Sequence, residues 1–185
     1  MNKECFISVD IEASGPIPGV YSMLSIGACE IGNEKNGFYI ELQPITDKFV
    51  PDALEVCKLS MSKLKQTGIS PHDALRKFAD WIAYTAKGKY PKFVGFPLAF
   101  DWSFVNWYFI NYLGENPFGI SGIDTKSVWF GKNNFNWKET SKTHIKRVLG
   151  LNLVHTHNAL DDAIEQAIVF EKILKSDTNG LKFKK

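Results

Sequence analysis

The sequence predicts an α/β protein built on one mixed five-stranded sheet flanked by helices. Three observations carry this. Residues 4–12 form an apolar run of strand length that ends in two acids, Val9-Asp10-Ile11-Glu12. Two further strand-like segments, residues 21–31 and 37–42, follow and join through Gly32-Asn33-Glu34-Lys35-Asn36, a turn composition suited to a meander. From residue 92 onward strand and helix patterns alternate, and a hairpin start followed by β-α-β alternation gives a mixed sheet covered by helices. A chain of 185 residues, 44% of them hydrophobic, can bury a substantial core in one unit. The expected domain spans residues 1–185, with its core at roughly 4–175 and a short frayed tail.

The remaining elements follow in order. Residues 13–24 are rich in glycine and proline and read as a loop after the first strand. Pro51 opens a short helix. Ser70-Pro71 caps a longer one that buries Leu75, Phe78, Trp81 and Ile82. Residues 92–96 form a short buried strand, residues 102–113 an aromatic-rich helix, and residues 120–125 the fifth strand. Helices over residues 141–149 and 159–174 complete the chain. The last is amphipathic, with Leu160, Ala163, Ile164, Ala167 and Ile168 at helical spacing.

Chemistry concentrates at three places on this framework. In a strand, residues i and i+2 face the same side, so Asp10 and Glu12 point together, and their repulsion calls for a cation. Asp101 follows a strand and precedes a helix, where an acid also serves as an N-cap. Asp162 lies one turn into the last helix, on the side that should meet the sheet. Asp161 is rotated roughly 100° away, towards solvent. His157 precedes that helix, where a loop can aim its ring. Four carboxylates are hard ligands for two Mg²⁺ or Mn²⁺ ions about 3.5–4 Å apart, which clamp both oxygens of an in-line phosphoryl displacement. Asp10 would bridge the ions, Glu12, Asp101 and Asp162 would complete or orient their shells, and His157 would take the proton from the attacking water.

The order Asp-x-Glu, then Phe-Asp, then His with Asp five residues later resembles the DEDDh exonucleases. It matches at Asp10 and Glu12, at Asp101, and at His157 and Asp162, across roughly residues 5–170. A sister group carries tyrosine four residues before the last Asp; Asn158 stands there, which indicates the histidine type. The resemblance implies a ribonuclease H-like fold. It also implies a 3′–5′ exonuclease that releases 5′-mononucleotides from the 3′ ends of single-stranded RNA or DNA, and it allows a homodimer. The corresponding loop in that family touches the terminal nucleotide with an apolar side chain, a role open to Met23 or Leu24. Phe100 is a further candidate substrate contact, although helical spacing sends several of Trp102, Phe104, Trp107 and Tyr108 into the core. One departure stands out: Pro97 occupies the place of an asparagine common before the second Asp.

Competing readings are a binding or adaptor protein that lost catalysis, and an endonuclease on the same scaffold. The intact acid set opposes the first, and the His-to-Asp spacing opposes the second. A net charge of +2 excludes a strongly basic nucleic-acid wrapper. Cys5, Cys29 and Cys57 are odd in number and lack metal spacing, which points to reduced thiols in the cytoplasm. No apolar run reaches membrane length, and Met1-Asn2-Lys3-Glu4 does not open a signal peptide. His155-Thr156-His157 suggests a zinc pair without further ligands. Asp124 reads as a helix N-cap, His72 as a surface residue, and Lys142, His144, Lys146 and Arg147 as a basic cluster open to phosphate or solvent.

Overall fold

The computed structural model describes residues 3–133, 136–153 and 156–176. Its five strands are β1 (Glu4–Ala13), β2 (Met23–Glu30), β3 (Asn33–Glu41), β4 (Tyr90–Gly95) and β5 (Ile123–Asp124), in sheet order β3-β2-β1-β4-β5. The meander β1-β2-β3 is antiparallel, while β4 and β5 add in parallel to the other edge of β1. The helices among the described residues are α1 (Pro51–Cys57), α2 (Met61–Thr67), α3 (Pro71–Ala86), α4 (Leu98–Leu113), α5 (Thr125–Asn133), α6 (Lys142–Val148) and α7 (Ala159–Lys175). No helix of the described residues is long and apolar enough to cross a membrane. The three cysteines are free thiols, each buried.

Alternation along β1 divides the molecule. Ile7, Val9, Ile11 and Ala13 enter the main core with Phe78 and Ile82 of α3 and Phe104, Val105 and Tyr108 of α4. Phe6 faces the opposite way and meets Phe170 of α7, at 6.2 Å between ring centroids. Ser8, Asp10 and Glu12 share that second face by the period of two. The central strand thus carries its acids on the side that α7 covers.

Gly27 permits that cover. It pairs with Asp10 across the β1–β2 ladder, and a Cβ there would lie 2.0 Å from the backbone carbon of Ala159. The absence of a side chain therefore lets the N-terminus of α7 seat directly on β2, beside the acids of β1.

Several boundaries differ from the sequence reading. β3 begins at Asn33 instead of residue 37, so the meander connection is shorter than expected. β5 spans two residues instead of residues 120–125, and Ile120 is 97% exposed. α4 starts at Leu98 rather than residue 102, which places Asp101 inside its first turn. Helix α2, capped by Ser60, was not expected. The α3 reading holds: Ser70 accepts a hydrogen bond from the Asp73 N–H and Pro71 opens the helix. Trp81 lies over Phe38 and Phe78. The tail, residues 181–185, lies outside the described residues.

Candidate active site

Three elements place the four candidate acids. Asp10 and Glu12 stand at the C-terminal end of β1, just before the ladder slips between Glu12 and Ala13. Asp101 is no N-cap. Its side chain is buried, and Oδ1 accepts a hydrogen bond from the Ile11 N–H at 3.2 Å, tying α4 to the strand between the two acids. The capping duty falls to Asp124 at the end of β5. Its Oδ1 accepts from Leu98 N–H at 3.0 Å and its Oδ2 from Ser127 N–H at 2.9 Å, so one carboxylate serves the starts of both α4 and α5. Pro97, at the α4 cap position, has no side-chain group to offer.

Asp162 is buried in the first turn of α7, and its Oδ1 accepts from Thr156 N–H at 3.2 Å. Asn158 caps the helix by accepting from Leu160 and Asp161 N–H. His157 precedes that cap with φ of 58°, a left-handed conformation that turns the chain sharply into the helix. One ring nitrogen lies within 4.8 Å of carboxylate oxygens of both Glu12 and Asp162, and those two oxygens are also within 4.8 Å of each other. Asp161 points outward and accepts from the Thr156 hydroxyl. His155 lies outside the described residues.

These five side chains line one cleft of about 400 Å³, together with Phe96, Pro97, Phe100, Lys142, Thr143 and Lys146. Met23 and Leu24, expected to contact nucleotide, do not reach it. Both are fully buried: Met23 enters the main core, and Leu24 packs against Cys57, Met61 and Leu64. The loop reading extended too far, because β2 begins at Met23 and is buried along its length. Phe100 is 38% exposed and sits between the acidic cleft and a neighbouring apolar hollow formed with Ala13, Gly15, Pro16, Val50 and Ala53.

The basic cluster splits in two. Lys142 and Lys146 turn inward and bind Glu165 of α7, with Nζ–O distances of 3.1 and 2.5 Å. Lys146 also donates to the Leu153 carbonyl at 2.6 Å, just before the segment that leads to His157. His144 and Arg147 contact one another at 3.0 Å. Glu165 and Gln166 were missed as site residues. Both are buried polar residues about one turn beyond Asp162, and only the packed structure brings them inward.

Burial makes the acids reluctant to ionise. It raises Asp10 well above the usual carboxylate range, with Asp101, Glu12 and Asp162 adding repulsion and Lys142 opposing it. Glu12 is pushed up to about 8, by burial and then by Asp162 and Asp101. Asp101 is pushed up to about 7 by burial, against the Ile11 hydrogen bond and Lys142. An unfolded chain ionises the same groups near pH 4. The folded state therefore holds their protons more tightly, and the contribution of these three acids to stability is fully present below about pH 4 and is lost as pH rises through the folded values. In EDTA, the Tm is expected to fall between about pH 5 and 9; a Tm that stays level or rises across that range would contradict this electrostatic picture.

No family model matches the chain. The 3′-5′ DNA exonuclease Cap18 of Escherichia coli is 47% identical over 175 residues, covering 94% of each protein. The chain belongs to the DEDDh 3′–5′ exonuclease family. The nuclease domain of 3′hExo, a DEDDh member solved with rAMP, superposes with a TM-score of 0.73 at 15% identity, covering 92% of this chain and 90% of that one. S. pombe Pop2p, in an Mg²⁺- and Mn²⁺-bound form, gives 0.65 at 16% identity, covering 95% and 85%. The mixed sheet and its helices are thus the ribonuclease H-like fold of the DEDDh exonucleases.

Proposed function

We propose that the chain, acting as one exonuclease unit, hydrolyses single-stranded DNA from its 3′ end to 5′-mononucleotides with two divalent metal ions. The observation that carries this is the convergence of Asp10, Glu12, Asp101, Asp162 and His157 on one cleft. DNA is the substrate named for the relative at 47% identity. The donor set fits Mg²⁺ or Mn²⁺: all four carboxylates offer hard oxygens, and at least three resist ionising without a compensating positive charge. Pop2p, of the same fold, is described with both ions bound.

Asp10, Glu12, Asp101 and Asp162 would hold the ions. Bound there, two divalent ions neutralise charge developing on the phosphate and acidify the attacking water. His157, at the edge of the cleft, accepts the proton as the water oxygen attacks phosphorus. The bond from phosphorus to the 3′ oxygen of the preceding nucleotide breaks, leaving a 5′-mononucleotide and a new 3′-hydroxyl. Phe100 and the hollow beside it offer an apolar surface for the terminal base, in place of Met23 and Leu24.

The test is matched 5′-labelled single-stranded DNA and RNA with Mg²⁺ or Mn²⁺, resolved at single-nucleotide length. A ladder shortening from the 3′ end of DNA is expected, strongly slowed when that end carries a phosphate. Cleavage of circular single-stranded DNA would show an endonuclease instead. Intact substrate in both metals would favour the binding-protein reading.

A further inference from the structure

We propose that Gln166 is a positioning residue that holds Asp10 in the orientation required to bind divalent metal. The inference rests on the reading of the cleft as a metal site and assigns this chain a supporting residue outside the five-residue motif.

Gln166 lies four residues after Asp162, one helical turn along α7, so the two side chains project from the same face. It is 0% exposed. Its Nε2 donates to Asp10 Oδ1 at 2.5 Å, joining residues 156 positions apart in sequence. The other end of the amide, Oε1, is buried with no hydrogen-bond partner among the described residues. A methionine or leucine would fill the same space without leaving a polar atom unsatisfied, so packing alone does not account for a glutamine here. What the amide adds is a hydrogen bond to a carboxylate, a charge-assisted contact once Asp10 is ionised.

The neighbouring acids show the same arrangement. Asp101 Oδ1 is tethered by Ile11 N–H, and Asp162 Oδ1 by Thr156 N–H. In each case one carboxylate oxygen is engaged by a protein donor. Tethers of this kind fix the carboxylate plane before a cation arrives, and their loss weakens metal binding even though no ligand is removed. Two of the three tethers are backbone N–H groups. Gln166 is the side-chain tether, and it serves the acid at the centre of the cluster.

The experiment is calorimetric titration of Mn²⁺ into the native protein, Gln166→Met and Gln166→Leu, well below the melting transition, with near-UV circular dichroism to compare folds. Both variants should fold as the native protein does and bind Mn²⁺ about 10–100-fold more weakly, with kcat lowered at fixed subsaturating metal and restored in part by excess. KM for the oligonucleotide should move little. Native-like Mn²⁺ affinity, within about twofold, in either folded variant overturns the proposal. Failure of both variants to fold overturns it as well, because the core rather than the metals would then require the amide. A native protein that does not bind Mn²⁺ at all refutes the underlying metal reading, and that result is distinct from the other two.

Discussion

Asp10→Asn is expected to lower hydrolysis by roughly 10³-fold or more while the protein stays folded, because metal ions contribute several kcal/mol of charge stabilisation and each ~1.4 kcal/mol is tenfold in rate. Asparagine is the informative replacement. Its Oδ1 can still accept the Gln166 hydrogen bond, so the neighbouring packing is kept and only the charge is lost. Without metal, the variant should melt at a higher temperature than the native protein near pH 8. Asp10 stands among Glu12, Asp101 and Asp162, and each raises its proton affinity. Added Mn²⁺ should stabilise the native protein strongly at that pH and the variant much less, because a ligand that binds only the folded state stabilises it by its affinity. Thermal melts with and without Mn²⁺, alongside single-turnover rates, separate the two effects. A variant that hydrolyses at the native rate would rule out a two-ion site centred on Asp10.

Much of this site was legible before the fold, because its signals are local. Asp10 and Glu12 share a face by strand periodicity alone. The spacing from His157 to Asp162 puts one residue in a loop and the other one turn inside a helix, whatever that helix packs against. Asp101 was legible as a candidate but not in its geometry. An acid between a strand and a helix reads as a cap, and nothing local shows that Asp124, on the neighbouring strand, supplies the cap instead. Met23 and Leu24 failed for a related reason. Their loop-like setting of glycine and proline ends abruptly at a strand buried by β1, β3, α7 and the α1–α2 region, which only the assembled sheet reveals. Glu165 was hidden by the amphipathic pattern of α7: a charged residue near an apolar stripe reads as solvated until Lys142 and Lys146 of α6 are brought against it. The short β5 shows the limit for edge strands. Only Ile123 and Asp124 are paired, so Ile120, Ser121 and Gly122 lie outside the ladder that the sequence reading extended to them.

His157→Asn is expected to reduce kcat by about 10²–10⁴-fold with little change in KM, since a proton-transfer contribution is realised only in the transition state. The choice of asparagine follows from the backbone. His157 sits at φ 58°, and asparagine is among the residues that tolerate this left-handed conformation, so the turn into α7 should survive. The measurement must also distinguish a base from a metal ligand, because a ring nitrogen of His157 lies within 4.8 Å of oxygens on Glu12 and Asp162. A general base can be removed without disturbing the ions, so Mn²⁺ affinity by calorimetry should match the native protein while turnover collapses at every metal concentration. A ligand cannot be removed in that way: its loss would weaken Mn²⁺ binding, and excess Mn²⁺ would recover much of the rate. Recovery by excess metal would therefore reassign His157 from proton transfer to coordination, and native turnover in the variant would remove it from the mechanism altogether.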